Sequence, residues 1–399
     1  MARALEQTWA PQAAARDADS STLAVRRLSL SDFRSYAALR LEIDRRPVVL
    51  TGPNGAGKTN LLEAISFLAP GRGLRGACLA EVDRTGGGPW AVAARLEDRS
   101  GPLEIGTGRM AEAERERRAI RINGAPAASQ AALAEVISAI WLTPDMDRLL
   151  QDGAPARRRF LDRLVLAEDP AHAGQVAGHG HALRERARLL REGRFDPAWL
   201  GALERRAAAA GVAVAAARRL AIAGLGAALE HEPGGFPRPE LAVVGEVEAW
   251  LDDQPALEVE ARYAEALAAD RREDAESGTT AVGPHRSDLV VRHRPSGRLA
   301  GDCSTGQQKA LLVSIVLAAA RLRAAQGERL PILLLDEVAA HLDPERRADL
   351  FDELSGLGVQ VWLTGTDGAL FAPLGARAQH FHVAESRLHA YDPSHPCPA

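Results

Sequence analysis

Apolar and polar positions do not keep one rhythm along the chain. Between residues 23 and 50 they alternate, with Leu28 and Leu30, then Leu39, Leu41 and Ile43, on every second position. A period of two turns one face of a strand inward, so this stretch predicts strands. Pro47-Val48-Val49-Leu50 is continuously apolar, as expected of a buried strand. After a glycine-rich break, Leu61, Leu62, Ile65 and Leu68 fall at helical spacing. Residues 90–122 return to a strand pattern, and Asn123-Gly124 after Ile120-Arg121-Ile122 is a hairpin signal. The pattern ends near Trp141-Leu142-Thr143-Pro144-Asp145.

Residues 160–232 are rich in Ala, Leu, Arg and Glu, with Leu183, Ala187 and Leu190 on one helical stripe. Asp196-Pro197 has the form of an N-cap followed by proline at the first helical position. A helix is permitted from 198 to about 231. Gly211, Gly224 and Gly226 weigh against one unbroken rod, and Pro233-Gly234-Gly235 stops it. A further helix is predicted over about 256–275. Sustained heptads are absent, which excludes a long coiled coil, and no internal repeat or low-complexity tract is present.

Composition narrows this picture. A length of 399 residues suits two domains at about 100–200 residues each. With 49 Lys+Arg against 53 Asp+Glu the net charge is −4, so a nucleic-acid partner would need a local basic patch. Cys78, Cys303 and Cys397 are scattered and form neither a disulfide framework nor a metal spacing. No run of about 18 apolar residues predicts a membrane span. The first twenty residues lack the apolar core of a signal peptide and read as a flexible, alanine-rich tail, so a cytoplasmic location is expected.

The candidate chemistry lies at the breaks in the pattern. Gly52-Pro53-Asn54-Gly55-Ala56-Gly57-Lys58-Thr59-Asn60 fits G-x-x-x-x-G-K-[ST] between a predicted strand and a predicted helix. Such a loop turns backbone N–H groups and a helix N-terminus towards an anion. Lys58 is expected to reach the β/γ-phosphates of ATP, and Thr59 to ligate Mg²⁺. Pro331-Ile332-Leu333-Leu334-Leu335-Asp336-Glu337 describes a buried strand ending in two carboxylates. Asp336 suits Mg²⁺, directly or through water, and Glu337 suits a general base acting on water. Burying two adjacent charges as mere structure would be costly. Cys303-Ser304-Thr305-Gly306-Gln307 precedes an apolar helix. Ser304 suits an N-cap, and Gly306 permits close approach of an anion.

The order of P-loop, long gap, Ser304-Thr305-Gly306-Gln307, Leu-Leu-Leu-Asp336-Glu337 and His341-Leu342-Asp343 resembles the ABC-type head ATPases. In that class the serine-glycine signature of one protomer completes the ATP site of another. More narrowly, the chain resembles the bacterial RecF family of DNA-repair proteins, which are related to the structural-maintenance-of-chromosomes proteins. The resemblance rests on Asp32-Phe33-Arg34-Ser35-Tyr36, the P-loop through Ala64, Gly71-Arg72-Gly73-Leu74-Arg75, Ile122-Asn123-Gly124 and Thr143-Pro144-Asp145. It continues in Arg157-Arg158-Arg159-Phe160-Leu161-Asp162, Gly283-Pro284-His285-Arg286 and Cys303-Ser304-Thr305-Gly306, and it spans about residues 23–390.

The resemblance implies an α/β P-loop ABC-type ATPase head built from 23–160 and 278–392. A mainly helical arm at 161–277 is inserted, with tails at 1–22 and 393–399. It implies an ATP-dependent homodimer, with Ser304, Gly306 and Gln307 contacting ATP across the interface. The dimer would bind single- and double-stranded DNA at gap junctions, and RecO and RecR would be partners in loading RecA during repair and the SOS response. Slow, DNA-stimulated ATP hydrolysis would act as a switch. A transport ATPase and a clamp that hardly hydrolyses ATP are the alternatives. Ser287 departs from the acid usual after Gly-Pro-His-Arg, Thr364 replaces a γ-phosphate-sensing histidine, and no glutamine marks the usual Mg²⁺-contacting loop. Candidate DNA-phosphate contacts are Arg72, Arg75, Arg117, Arg118, Arg121, Arg157, Arg158 and Arg159, each of which, taken singly, reads first as a solvated surface charge. Glu112, Glu114 and Glu116 interrupt the first basic run. Aromatic content of 4% leaves few stacking platforms for single strands.

Overall fold

Val48, Val49 and Leu50 are fully buried, and the strand they form joins two halves of the chain. The structure, a computed structural model, describes residues 23–393 except 111–116, 194–195, 231–234 and 327–329. The terminal tails up to residue 22 and from residue 394, Glu112, Glu114, Glu116 and Pro233-Gly234 lie outside the described residues, as does the side chain of His341.

The strands are β1 (Ala24–Phe33), β2 (Tyr36–Glu42), β3 (Val48–Thr51), β4 (Ala91–Asp98), β5 (Gly101–Arg109), β6 (Arg118–Ile122), β7 (Ala125–Pro126), β8 (Ala139–Leu142), β9 (Pro239–Val244), β10 (Asp288–His293), β11 (Arg298–Leu299), β12 (Ile332–Leu335), β13 (Val361–Gly365), β14 (Gln379–Ala384) and β15 (Arg387–Ala390). The helices are α1 (Lys58–Ser66), α2 (Ala131–Ala134), α3 (Ala154–Glu168), α4 (His172–Arg191), α5 (Pro197–Glu230), α6 (Glu246–Asp253), α7 (Ala256–Ala269), α8 (Arg271–Ser277), α9 (Thr305–Ala325) and α10 (Pro344–Gly356).

One sheet has the order β2-β1-β4-β5-β6-β7 and is antiparallel. A second, β15-β14-β3-β13-β12-β8, is parallel except at β15. It takes β3 and β8 from before the helical region and β12 to β15 from after it, so this sheet is completed across the helical region. Its strands are covered on both faces, as parallel sheets are. Val48, Leu50, Ile332 and Leu334 face a core shared with α1 and the antiparallel sheet. Val49, Ile140, Leu333 and Leu335 face a core shared with α3 and α9. Gln360 ties the two layers together: its Oε1 accepts the Val25 amide at 2.8 Å, and its Nε2 donates to Val25 O at 3.0 Å.

The helical region departs from the sequence pattern in three respects. α5 runs unbroken through its glycines, because two of them are packing positions. A Cβ at Gly211 would lie 2.8 Å from the Tyr263 ring, and one at Gly224 would lie 2.9 Å from Leu322. The helix predicted over 256–275 is divided at Asp270 into α7 and α8. Strand β9 lies among the helices and pairs with β10 in a small third sheet. By length and composition alone α5 could cross a membrane. In the fold it is a core helix, packed on α4, α7 and α9, with Arg218 buried and paired to Asp162. Its C-terminal half, through Ala221, Leu225 and Leu229, joins the head core.

Candidate nucleotide site

β3 ends at Thr51, and the chain turns through residues 52–57 into α1. At two glycines of that turn a Cβ has no room. Gly52 has φ 139°, and a Cβ there would meet Val383 O at 2.1 Å. Gly57, the N-cap of α1, has φ 111°, and a Cβ would lie 2.8 Å from the Tyr36 hydroxyl. That hydroxyl donates to Gly57 O at 3.1 Å, so Tyr36 buttresses the loop from below. Pro53, Asn54 and Gly55 are exposed at its crest, whereas Ala56 is buried.

Lys58 is 5% exposed and folds over its own loop, donating to Gly52 O at 2.7 Å and Pro53 O at 2.9 Å. Burial holds its pKa below the ordinary lysine value, opposed by the charges of Glu337 and Asp336. Thr59 Oγ1 donates to both oxygens of Asp336, at 3.0 and 2.9 Å. Asp336 follows the last residue of β12 and is 3% exposed; burial pushes its pKa up, against the hydrogen bonds from Thr364 and Thr59. Thr364, on β13, donates to Asp336 at 2.6 Å and accepts the Glu337 amide at 2.9 Å. β3, β13 and β12 are consecutive in the sheet, so their carboxyl ends deliver the P-loop, Thr364 and the two carboxylates to one place.

Glu337 is half-buried and adopts a left-handed backbone, φ 54°, a strained conformation of the kind that clusters at functional sites. Lys309, on α9, donates to Glu337 O at 3.5 Å and lies 3.5 Å from Asp147. The hydroxyl and carboxylate oxygens of Thr59 and Asp336 are the hard donors that Mg²⁺ takes. The exposed crest of the loop, opening onto the N-terminus of α1, suits a polyphosphate.

Ser304, Thr305, Gly306 and Gln307 are all exposed at the start of α9. Ser304 is the N-cap: its Oγ accepts the Gln307 amide at 3.4 Å, and Gln307 Oε1 accepts the Ser304 amide at 3.1 Å. Among the described residues, no hydrogen bond joins this segment to the P-loop of the same chain. Asp343 caps α10, accepting the Arg346 amide at 2.9 Å.

The candidate DNA contacts are dispersed and differently engaged. Arg75 donates to Glu63 at 2.6 Å and Asn60 at 2.9 Å; Asn60 in turn holds Ser35. Glu63, fully buried on α1, also takes a fork from Arg34 at 2.8 and 2.7 Å. Arg118 turns inward to Phe67 O, Gly71 O and Thr107, and Arg121 holds Gly124 O. Arg157 forks onto Asp288 at 2.8 and 2.7 Å, and Arg158 donates to Ser287 O. Arg72, Arg117 and Arg159 are exposed. Ser287, where an acid is usual, receives one from elsewhere: its hydroxyl donates to the buried Glu248 carboxylate at 2.6 and 2.7 Å.

Sequence reasoning missed Tyr36, Arg34, Glu63 and Lys309 as supports of this site. Arg34 and Tyr36 carried a signal, lying in the Asp32-Phe33-Arg34-Ser35-Tyr36 stretch where β1 turns into β2. Glu63 carried a weaker one, a carboxylate among the apolar residues of α1.

The family model described as "RecF/RecN/SMC N terminal domain" matches residues 24–371. The chain is 50% identical over 368 residues to the DNA replication and repair protein RecF of Rhizobium meliloti (strain 1021), covering 91% of this chain and 97% of that one. It is likewise 50% identical over 363 residues to the protein of that name from Mesorhizobium japonicum, covering 90% and 96%. In fold it is similar to the solved structure of the recombination mediator protein RecF-ATP in RecFOR pathway, with TM-score 0.79, 20% identity, and 93% and 99% of the two chains covered. It is also similar to an Smc head domain from Pyrococcus furiosus, with TM-score 0.54, 14% identity, and 93% and 97% covered. The last two likenesses concern the fold alone. On the identity to its relatives and the extent of the match, the chain belongs to the RecF family.

Proposed function

We propose that this protein is an ATP-dependent DNA-binding protein of replication and recombinational repair. The head is formed by 23–160 and 278–392 and the arm by 161–277. ATP and Mg²⁺ would be held by the P-loop, Lys58, Thr59 and Asp336, and ATP binding would bring two protomers together. Lys58 exchanges its two carbonyl partners for phosphate oxygens. Asp336 and Thr59 would hold the metal, Thr364 fixes the Asp336 carboxylate, and Glu337 would orient water for slow hydrolysis. Ser304, Gly306 and Gln307 serve the site of the neighbouring chain. The dimer holds DNA, single- or double-stranded, at gap junctions through backbone contacts. Family membership supports RecO and RecR as partners in loading RecA and taking part in the SOS response, and a cytoplasmic location. The transport-ATPase alternative is set aside, because relatives matching nine-tenths of the chain are repair proteins.

One observation carries the reading. The P-loop and both carboxylates converge in one chain, while the capped signature segment stands exposed and, among the described residues, makes no hydrogen bond to them. Equilibrium ATP binding, sedimentation with and without ATP, and DNA binding across a salt series test it, on wild type and Lys58→Ala. The wild type is expected to dimerise and bind DNA only with ATP, with affinity falling as salt rises. Wild-type ATP affinity in Lys58→Ala would remove the site.

A further inference from the structure

Two stretches that the nucleotide site does not use, Arg157-Arg158-Arg159 and Gly283-Pro284-His285-Arg286, meet at a cleft of about 330 Å³ between α3, α4 and α5. None of the residues lining it belongs to the nucleotide site. It is lined by Arg158 and Arg159 of α3, Arg184 of α4 and Arg218 of α5, with His179 and His285 between them. Asp162 is the one acid in the lining, so four arginines stand against one aspartate, a formal excess of three positive charges. In a chain of net charge −4 this is a local concentration, not a reflection of composition.

The single acid is already engaged. Asp162 takes both arms of Arg218, at 2.8 and 2.9 Å, and also meets His172 at 2.8 Å. Arg158 spends one nitrogen on Ser287 O, and burial and the nearby Arg218 and Arg286 disfavour its charge. Arg159 and Arg184 are exposed and have no hydrogen-bond or ion-pair partner among the described residues. Burial, His285 and Arg218 together hold the His179 pKa down to about 3, so the histidines add no charge.

The walls are preformed. Arg218 holds Pro284 O at 2.6 Å, and His285 holds Thr280 O at 3.0 Å. Gly283 has φ 137°, and a Cβ there would lie 2.1 Å from the Tyr263 hydroxyl, so the loop lies directly against Tyr263. Guanidinium groups lining one cleft repel one another until an anion arrives, and walls already tied by hydrogen bonds lower the cost of binding it. A cleft at the small end of the range for ligand sites (about 300–1,000 Å³) matches the size of one compact group.

We propose that this cleft binds a phosphate-bearing group about the size of one nucleotide, its phosphate held by Arg159 and Arg184 with Arg158 behind. The source is either a free nucleoside monophosphate or the phosphorylated end of a DNA strand. The second source rests on the DNA-binding reading above, and the first does not.

The test is calorimetric titration of the full-length protein, its ATP site filled with a non-hydrolysable analogue. The probes are thymidine 5′-monophosphate, thymidine, and one short duplex with or without a 5′-phosphate. Wild type should bind the monophosphate and not thymidine. Arg159→Ala/Arg184→Ala should bind it at least tenfold more weakly, with an unchanged thermal melt because neither side chain has a partner to lose. Preference of wild type for the phosphorylated duplex, absent in the double variant, identifies a strand end. Equal binding of the two duplexes with the monophosphate still bound identifies a free nucleotide. Equal affinity for thymidine and its monophosphate, no binding of either, or wild-type affinity in the double variant overturns the proposal. Failure to bind any duplex while the monophosphate is retained sinks the DNA reading and leaves the cleft.

Discussion

The Thr364 hydroxyl donates a 2.6 Å hydrogen bond to Asp336, joining the ends of neighbouring strands β13 and β12. The same oxygen accepts the Glu337 amide, so the residue that replaces a histidine here positions both carboxylate residues from behind. Thr364→Val keeps the shape and removes both bonds. It should cost about 1–3 kcal/mol of stability, because a buried N–H loses its acceptor, and should weaken Mg²⁺-dependent ATP binding. Denaturant unfolding and nucleotide titration with and without Mg²⁺ check this; wild-type values in both would dismiss the role.

Glu337→Gln should preserve ATP binding, since Lys58 and the loop are untouched. Single-turnover hydrolysis should slow by about 10²–10⁴-fold, the usual worth of a positioned general base. Dimer and DNA should then be held longer. Unchanged hydrolysis rules out Glu337 as the base. Slowed hydrolysis without slower DNA release favours a clamp in which turnover does little.

Ser304→Arg separates a cap from an intermolecular contact. Loss of the cap alone costs about 0.5–2 kcal/mol and leaves assembly intact. A residue that meets the neighbour's nucleotide should abolish the ATP-dependent dimer while the monomer still binds ATP. Ser304→Ala is the control for capping. Sedimentation with ATP decides: an Arg variant that melts lower yet still dimerises supports capping only.

Arg186 is fully buried and bonds Glu204 at 3.0 Å, Asp274 and Leu267 O, holding α4, α5, α7 and α8 together. Arg186→Met leaves Asp274 without that cation, while Glu204 keeps Arg271. A loss of about 3–5 kcal/mol is expected, as when one member of a buried pair is removed. Denaturant unfolding measures it, and a loss below about 1 kcal/mol would mean that the network contributes little.

His179 bonds the Tyr263 hydroxyl at 3.0 Å and is held neutral, its pKa down to about 3 from 6.5. A depressed pKa means that the unfolded chain takes up the proton first. Stability from this group is therefore full above pH 6.5 and is lost as pH falls towards 3, at about 1.4 kcal/mol per pH unit. His179→Gln should flatten the stability curve across that window. An unchanged slope would mean that His179 is protonated at little cost in the folded state.

Several features were determined by the sequence alone, because their geometry is written within a few neighbouring residues. Val48-Val49-Leu50, the glycines at 52, 55 and 57, and the helical spacing from Leu61 specify a strand, a turn with positive φ and a helix. No distant partner is needed for that. Ser304 with Gln307, and Asp196 before Pro197, make their caps for the same reason. The apolar run ending in Asp336 is legible because a strand covered on both faces tolerates little else.

Tertiary structure decided what depends on which elements become neighbours. Thr364 meets Asp336 because β13 lies beside β12, a pairing that no periodicity encodes. Arg157 forks onto Asp288 and Arg75 pairs with Glu63, whereas Arg159 is exposed, so basic residues that look alike in the sequence have different freedom. Gly211 and Gly224 read as helix breakers until Tyr263 and Leu322 come to lie against them, when the absence of a Cβ becomes a packing advantage. The cleft between α3, α4 and α5 draws its arginines from three helices and part of its lining from Pro284 and His285, more than a hundred residues beyond Arg158 in the chain. Hydrophobic periodicity says which face of an element is buried; the element that covers it is set by long-range packing, and so are the partners of every charge along that seam.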